Sequence, residues 1–180
     1  ALTTGLQAAT EVFDAQALDR HLVVSMDADL THPPETIPAM LEVSNQGADV
    51  VIASRFRRGS RQVGVPLFRK FISLGARVLF YAFLNLKGVR DYTCGFRAIR
   101  ASLIRRGFEQ FGEHGLITRS GFACTDELLV HLAMLEPVIH EVPFILRYDR
   151  KQGPSKMNLG VTIMETLRLL RTHRAKLRGH

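Results

Sequence analysis

An α/β domain built on a mostly parallel sheet is predicted by three observations. Two β-branched runs, His21–Met26 (HLVVSM) and Asp49–Ala53 (DVVIA), are separated by one helical stretch, the spacing of a strand–helix–strand unit. The first run stops at a carboxylate pair, Asp27 and Asp29, and the strand ends of an open α/β sheet are where ligands bind. The 180 residues are 46% apolar and 23% charged, which suits one full-sized core, and no linker divides them.

Each element follows from its local pattern. Ala1–Leu18 reads as the end of a helix, with Leu2, Leu6, Ala9 and Phe13 at helical spacing. His21–Met26 is a buried parallel strand, because its apolar residues run without alternation. Pro33 and Pro34 open a helix through about Asn45, since proline is tolerated in a first turn, and Gly47 ends it. Asp49–Ala53 is a second buried strand, followed by a loop dense in arginine (Arg55, Arg57, Arg58, Arg61). From Pro66 to Leu86 runs a long helix that is apolar over well more than half its circumference. Gly95–Ile99 reads as a strand, Ala101–Phe108 as a short helix, 112–121 as a loop and Thr125–Leu135 as a helix. Val138–Tyr148 reads as a strand with Val142, Phe144 and Leu146 on one face, and Pro143 makes it an edge or bent strand. Asn158–Leu177 is a basic amphipathic helix.

Composition narrows the function. Lys and Arg total 24 against 17 Asp and Glu, a formal charge of +7, which favours nucleic acid, a phospholipid surface or phosphorylated molecules as partners. Nucleic acid is disfavoured, because the chain has no Trp, three Tyr and no interleaving of aromatic with basic residues. Cys94 and Cys124 make neither a disulfide framework nor a metal spacing, so a reducing compartment is the default. The most apolar stretch, Phe71–Leu86, contains Arg77 and falls short of the ~20 residues a membrane span needs. Glu11 and Asp14 stand where a signal peptide would be apolar, so none is expected in Ala1–Ala17; the opening lacks an initiating Met and begins in mid-pattern, which predicts a piece of a longer chain.

Four groups of residues can carry chemistry. Asp27 and Asp29, one residue apart at a turn, can both reach a hard divalent cation, which substrate phosphates then help to hold; as a bland alternative they cap the following helix. Arg69, Ser73 and Arg77 recur at four-residue spacing and form one polar stripe, suited to phosphate oxygens. Periodicity alone reads that helix as a core helix with a solvated stripe, and the alternative is a helix lying in a membrane interface. Arg147, Arg150 and Lys151, with Gly153, Ser155 and Lys156, form either a phosphate-clamping lid or a solvated turn. Asp126 and Glu127 begin a helix, where acidic residues suit the macrodipole whether or not they are catalytic, and His32 is a loop residue rather than a ligand.

Five segments in order, VVSMDADLTHPPE (23–35), VVIASRF (50–56), DYTCGFRAIR (91–100), GFACTDELL (121–129) and EVPFILRYDRKQGPSKM (141–157), resemble the family-2 glycosyltransferases. Within them the likeness is to the dolichyl-phosphate mannosyltransferase-like enzymes and their bacterial polyprenyl-phosphate relatives. The resemblance implies a glycosyltransferase-A fold, lacking an N-terminal strand and base-recognition segment. It also implies metal-dependent inverting transfer of a hexose, with Mg²⁺ or Mn²⁺, from a nucleotide-sugar of the GDP-mannose or UDP-glucose class to dolichyl or undecaprenyl phosphate. Asp27 and Asp29 then match the metal-binding pair, with Asp29 counted as catalytic, and Thr31 stands where relatives place a third metal contact. Arg55 and Arg150 match donor-phosphate residues; Arg69 and Ser73, with Arg150, Ser155 and Lys156, match the lipid-phosphate site. Glu127 matches an acidic position flooring the site, and Cys94 replaces a more usual Ser.

Residues 1–157 are on this reading a partial catalytic domain and 158–180 a basic helix, acting at the cytoplasmic face of a membrane. Leu167, Leu170 and Leu177 would supply that helix's apolar side against anionic lipid. Because a phosphomonoester is already ionised, no general base is needed. A hydroxyl-acceptor transferase is the alternative, with Asp126 or Glu127 as base, and a non-catalytic module binding membrane or RNA is a second.

Overall fold

A computed structural model describes residues 2–13, 17–119, 121, 123–153 and 159–177. In chain order its strands are β1 (Leu22–Ser25), β2 (Val50–Ser54), β3 (Arg61–Val63), β4 (Arg97–Arg100), β5 (Ile139–Pro143) and β6 (Ile145–Arg147). Its α-helices are α1 (Leu2–Glu11), α2 (Ile37–Asn45), α3 (Leu67–Phe83), α4 (Ala101–Phe111), α5 (Ala123–Ala133) and α6 (Leu159–Leu177).

Every residue of β2 is buried, as befits an apolar run paired on both sides. The main sheet has the order β1-β4-β2-β5. β2 and β5 are parallel, with Val50 opposite Ile139 and Ala53 opposite Val142. β4 runs antiparallel to both its neighbours, Ile99 lying opposite Val23 on one side and Val50 on the other. Two strands antiparallel to the same neighbour are parallel to each other, so the expected strand–helix–strand unit stands, but with β4 inserted between its strands. β1 is half-buried rather than buried, because among the described residues it is paired on one side only.

The strand expected over 138–148 is two strands. Proline cannot donate to a ladder, and at Pro143 the chain leaves the sheet. Phe144 turns into the core, its carbonyl accepts from Arg61 N–H at 3.2 Å, and β6 pairs in parallel with β3. This small ribbon carries the chain to one side of β1's carboxyl end.

α3 is not the core helix its periodicity suggests. Phe80 is its one fully buried residue, while Leu67, Phe71 and Val78 are 72%, 71% and 60% exposed. α6 packs on α5 and touches α3. Leu169 and Leu170 are fully buried there, so Leu170 serves the core and not a lipid-facing side. Among the described residues no helix is long and apolar enough to cross a membrane.

Candidate active site

β1 delivers Asp27 and Asp29 to its carboxyl end, where the backbone doubles back sharply. Leu30 adopts φ 63°, a left-handed conformation uncommon for a branched residue and one that concentrates at functional turns. The turn returns Thr31 to Asp29: its N–H and hydroxyl donate to Asp29 Oδ1 at 3.2 and 2.6 Å. Thr31 therefore braces the carboxylate beside which the sequence places it. His32 braces the other carboxylate's backbone, since Asp27 N–H donates to its Nδ1 at 2.9 Å. The ring is buried, stacked on Phe96 and edge-on to Phe144. Burial lowers the pKa of His32, against the upward pull of Asp27 and Asp29, and leaves a neutral ring.

A cavity of about 530 Å³ opens from this turn and runs along α3 towards α6. Asp27, Asp29, Arg55, Arg69, Ser73 and Asp126 all line it, so the structure gathers most of the residues singled out in the sequence. Arg55 is clamped there. Asp91, fully buried, accepts from Arg55 Nε at 2.8 Å, from Nη2 at 2.6 Å and from its backbone N–H at 2.8 Å. Asp91 and Arg90 N–H groups in turn donate to Glu141 Oε1 on β5, each at 2.7 Å. With its fork so held, Arg55 points Nη1 at Ser73 Oγ (3.3 Å) and Nη2 at Thr93 Oγ1 (2.6 Å). Burial disfavours its charge, but Asp91 more than compensates and raises its pKa.

Arg69 differs. Among the described residues no carboxylate pairs with it, and its guanidinium lies 5.5 and 5.7 Å from the Phe68 and Tyr148 rings. Asp126 and Glu127 separate as well. Asp126 lines the cavity and is buried, and burial pushes its pKa up to about 7 against the pull of Arg97 and Arg55. Glu127 does not line it; both its oxygens clamp the preceding loop, accepting from Thr118 N–H (2.7 Å), Thr118 Oγ1 (2.6 Å) and Arg119 N–H (2.8 Å). Glu127, expected to floor the site, anchors the loop of 118–119 in this structure. Cys94 lines the cavity as a buried thiol, pushed by burial up to about 12.

Among the described residues of the basic loop the cavity-lining cation is Lys151, not Arg150, which is exposed. Lys151 Nζ ion-pairs with Asp29 Oδ2. Partial burial pushes Asp29 up, but its bonds from Lys151 and Thr31 outweigh this and hold the carboxyl below its ordinary range. Ser155 and Lys156 lie outside the described residues. Lys151 belongs to the basic loop read from the sequence as a phosphate clamp, but its pairing with Asp29 was not read there, and Asp91 and Glu141 were not singled out for the site at all. All three stand in quoted segments, but nothing local marks the pairing of Asp91 with Arg55 or of Glu141 with the backbone of 90–91.

The donor set fits Mg²⁺ or Mn²⁺. Among the described residues no group of three or more His, Cys, Asp and Glu forms a closed cage. Two carboxylates with open cavity beside them are what such an ion takes when substrate phosphates and water complete its shell.

The sequence profile described as Glycosyl transferase family 2 matches residues 1–109. A dolichol-phosphate mannosyltransferase of Pyrococcus furiosus is 36% identical over 146 residues, 81% of this chain and 38% of the relative. An undecaprenyl-phosphate mannosyltransferase of Micrococcus luteus is 35% identical over 140 residues, 78% of this chain and 54% of the relative. A dolichol-phosphate mannosyltransferase of Mycosarcoma maydis is 34% identical over 137 residues, 76% and 43% of the two chains. The chain thus spans between 38% and 54% of the length of these curated relatives.

Proposed function

The chain belongs to glycosyl transferase family 2, and on that premise we propose that it carries the catalytic crevice of a polyprenyl-phosphate hexosyltransferase. The supporting observation is that one cavity is lined both by the carboxylate pair Asp27 and Asp29 and by Arg69, which pairs with no described carboxylate, together with Ser73 of the same helix. A nucleoside diphosphate would sit by Asp27 and Asp29, and a lipid phosphate by Arg69 and Ser73. The names of the relatives favour a mannosyl donor.

A phosphate oxygen attacks the anomeric carbon while that carbon's bond to the nucleoside diphosphate breaks, which inverts the centre. A phosphomonoester carries ≈ −1.5 to −2 charge at pH 7, so no proton need be removed first. Arg69 would orient it, and Ser73, already accepting from Arg55, keeps its own proton to donate. Arg55, immobilised by Asp91, presents positive charge without having to reorganise. Asp27 and Asp29 would hold a divalent cation, which when bound would supply charge neutralisation on the leaving diphosphate. Residues 1–157 form the catalytic part on this reading. Residues 158–180 form its basic helix on the same reading, of which the described part, α6, packs on α5, and the whole works at the cytoplasmic face of a membrane.

Asp126, near pKa 7 in the cavity, favours one second reading: a hydroxyl acceptor with Asp126 as base. Incubating the protein with GDP-mannose or UDP-glucose, and either polyprenyl phosphate or free sugars, separates the two. Lipid-linked product that disappears in EDTA and returns with Mg²⁺ or Mn²⁺ is expected. Turnover without metal, or only on free sugars, overturns the proposal.

A further inference from the structure

Residues 147–151 lie as a strap over the carboxylate end of the cavity, tied at several points. Arg147 N–H donates to Thr31 O at 2.9 Å, which fixes the strap's start to the carboxylate turn. Gly64 gives it a close seat: a Cβ there would come within 2.7 Å of Asp149 N. Tyr148 lies between two cations, with Arg69 5.7 Å and Lys151 Nζ 5.8 Å from its ring centre. At the far end Lys151 ion-pairs with Asp29 Oδ2, while Thr31 occupies Oδ1.

Both oxygens of Asp29 are therefore engaged, one of them by a tethered ammonium. An ammonium and a divalent cation cannot share that oxygen without strong like-charge repulsion. The strap end can yield: the Lys151 side chain is 21% exposed, its stem is flexible, and Gly153 follows with φ +81°. We propose that Lys151 is a positioning residue that holds Asp29 as a stand-in cation, is displaced when a divalent cation binds, and thereby frees the strap beside Tyr148 and Arg69. The inference rests on Asp27 and Asp29 binding such an ion. It makes cation entry a step that rearranges the acceptor side of the crevice.

Two readouts independent of turnover test this on the whole chain. Free Mn²⁺ followed by its EPR signal gives the affinity. Lys151→Met should tighten it about three- to tenfold, from the loss of a partly exposed competing ion pair, while Lys151→Arg should leave it near the parent value. The chain has no Trp, so Tyr148→Trp supplies a lone reporter of the strap. Its emission should shift on adding Mg²⁺, and in the Lys151→Met background should stand at the shifted value beforehand. Thermal melts confirm that each variant is folded. Mn²⁺ binding that is unchanged or weaker in Lys151→Met, or an Mg²⁺ response that is the same in both backgrounds, overturns the inference alone. Absence of binding to parent and variants alike overturns the cation reading with it.

Discussion

Arg55 and Arg69 carry the same side chain into one cavity in opposite circumstances. Arg55 donates three hydrogen bonds to the buried Asp91 carboxylate, and removing one partner of such a pair strands a buried charge, typically at 3–5 kcal/mol. Arg55→Ala should therefore melt well below the parent, and its lost activity would report folding. Arg69→Ala breaks no described ion pair, so it should keep its melting temperature, raise the acceptor KM tenfold or more and leave the donor KM unchanged. Equal damage to both substrates would mean that Arg69 does not seat the lipid phosphate. Asp126 gives a pH signature. Its carboxyl is raised from 3.8 to about 7 in the folded chain. Between those values the folded state holds a proton that the unfolded state has released. Stability is then greatest below about 4, falls as pH rises through about 7, and is flat above, a change on the order of a few kcal/mol. Asp126→Asn imitates the protonated acid, so its melting temperature should match the parent at pH 4 and exceed it by several degrees at pH 8. A gap that does not vary with pH counts against this. Asp27, Asp29, Arg69 and Ser73 were legible because their spacing is local. Asp91 and Glu141 were not, for their partners lie 36 and 50 residues away.

At the scale of elements, the helices and the longer strands could be read from periodicity, but the pairing of strands could not. Nothing in Arg97–Arg100 announces that it enters between β1 and β2, because register and order are set by the whole sheet. β3, three residues inside an arginine-rich loop, is too short to have a period and exists because β6 arrives beside it. The expected apolar alternation of 138–148 continued straight through Pro143, where the chain in fact changes sheets. The β3–β6 ribbon then sets the strap's height over the cavity, and Gly64 is its tightest point. Gly64 adopts φ +72°, and its missing Cβ would meet backbone rather than a side chain that could swing away. Gly64→Ala should cost about 1–2 kcal/mol for the left-handed backbone alone, and more for the displaced strap. Melting curves will show it, and a neutral Gly64→Ala would mean that the strap is loosely seated.

Over the whole molecule, positive charge and exposed apolar surface coincide with the proposed acceptor site. Leu67, Phe71, Leu74, Val78 and Tyr81 recur every three or four residues along α3 and are all exposed. Arg69 and Ser73 of the same helix face the cavity. A long polyprenyl chain entering from a bilayer would need such an apolar border next to a polar seat. Soluble monomers rarely leave contiguous apolar patches exposed without a use for them. The formal charge of +7 would draw the protein to anionic lipid, each basic residue near the surface contributing roughly 1 kcal/mol. Salt screens that attraction and leaves the apolar contribution in place. Co-sedimentation with anionic vesicles should therefore fall as salt rises and level off above zero. Phe71→Ser combined with Val78→Ser, both at exposed positions, should abolish the plateau while keeping the low-salt binding and the melting temperature. If the plateau survives that double change, α3 does not enter the bilayer, and the exposed residues of α6, Val161 and Met164 among them, become the surface to alter next.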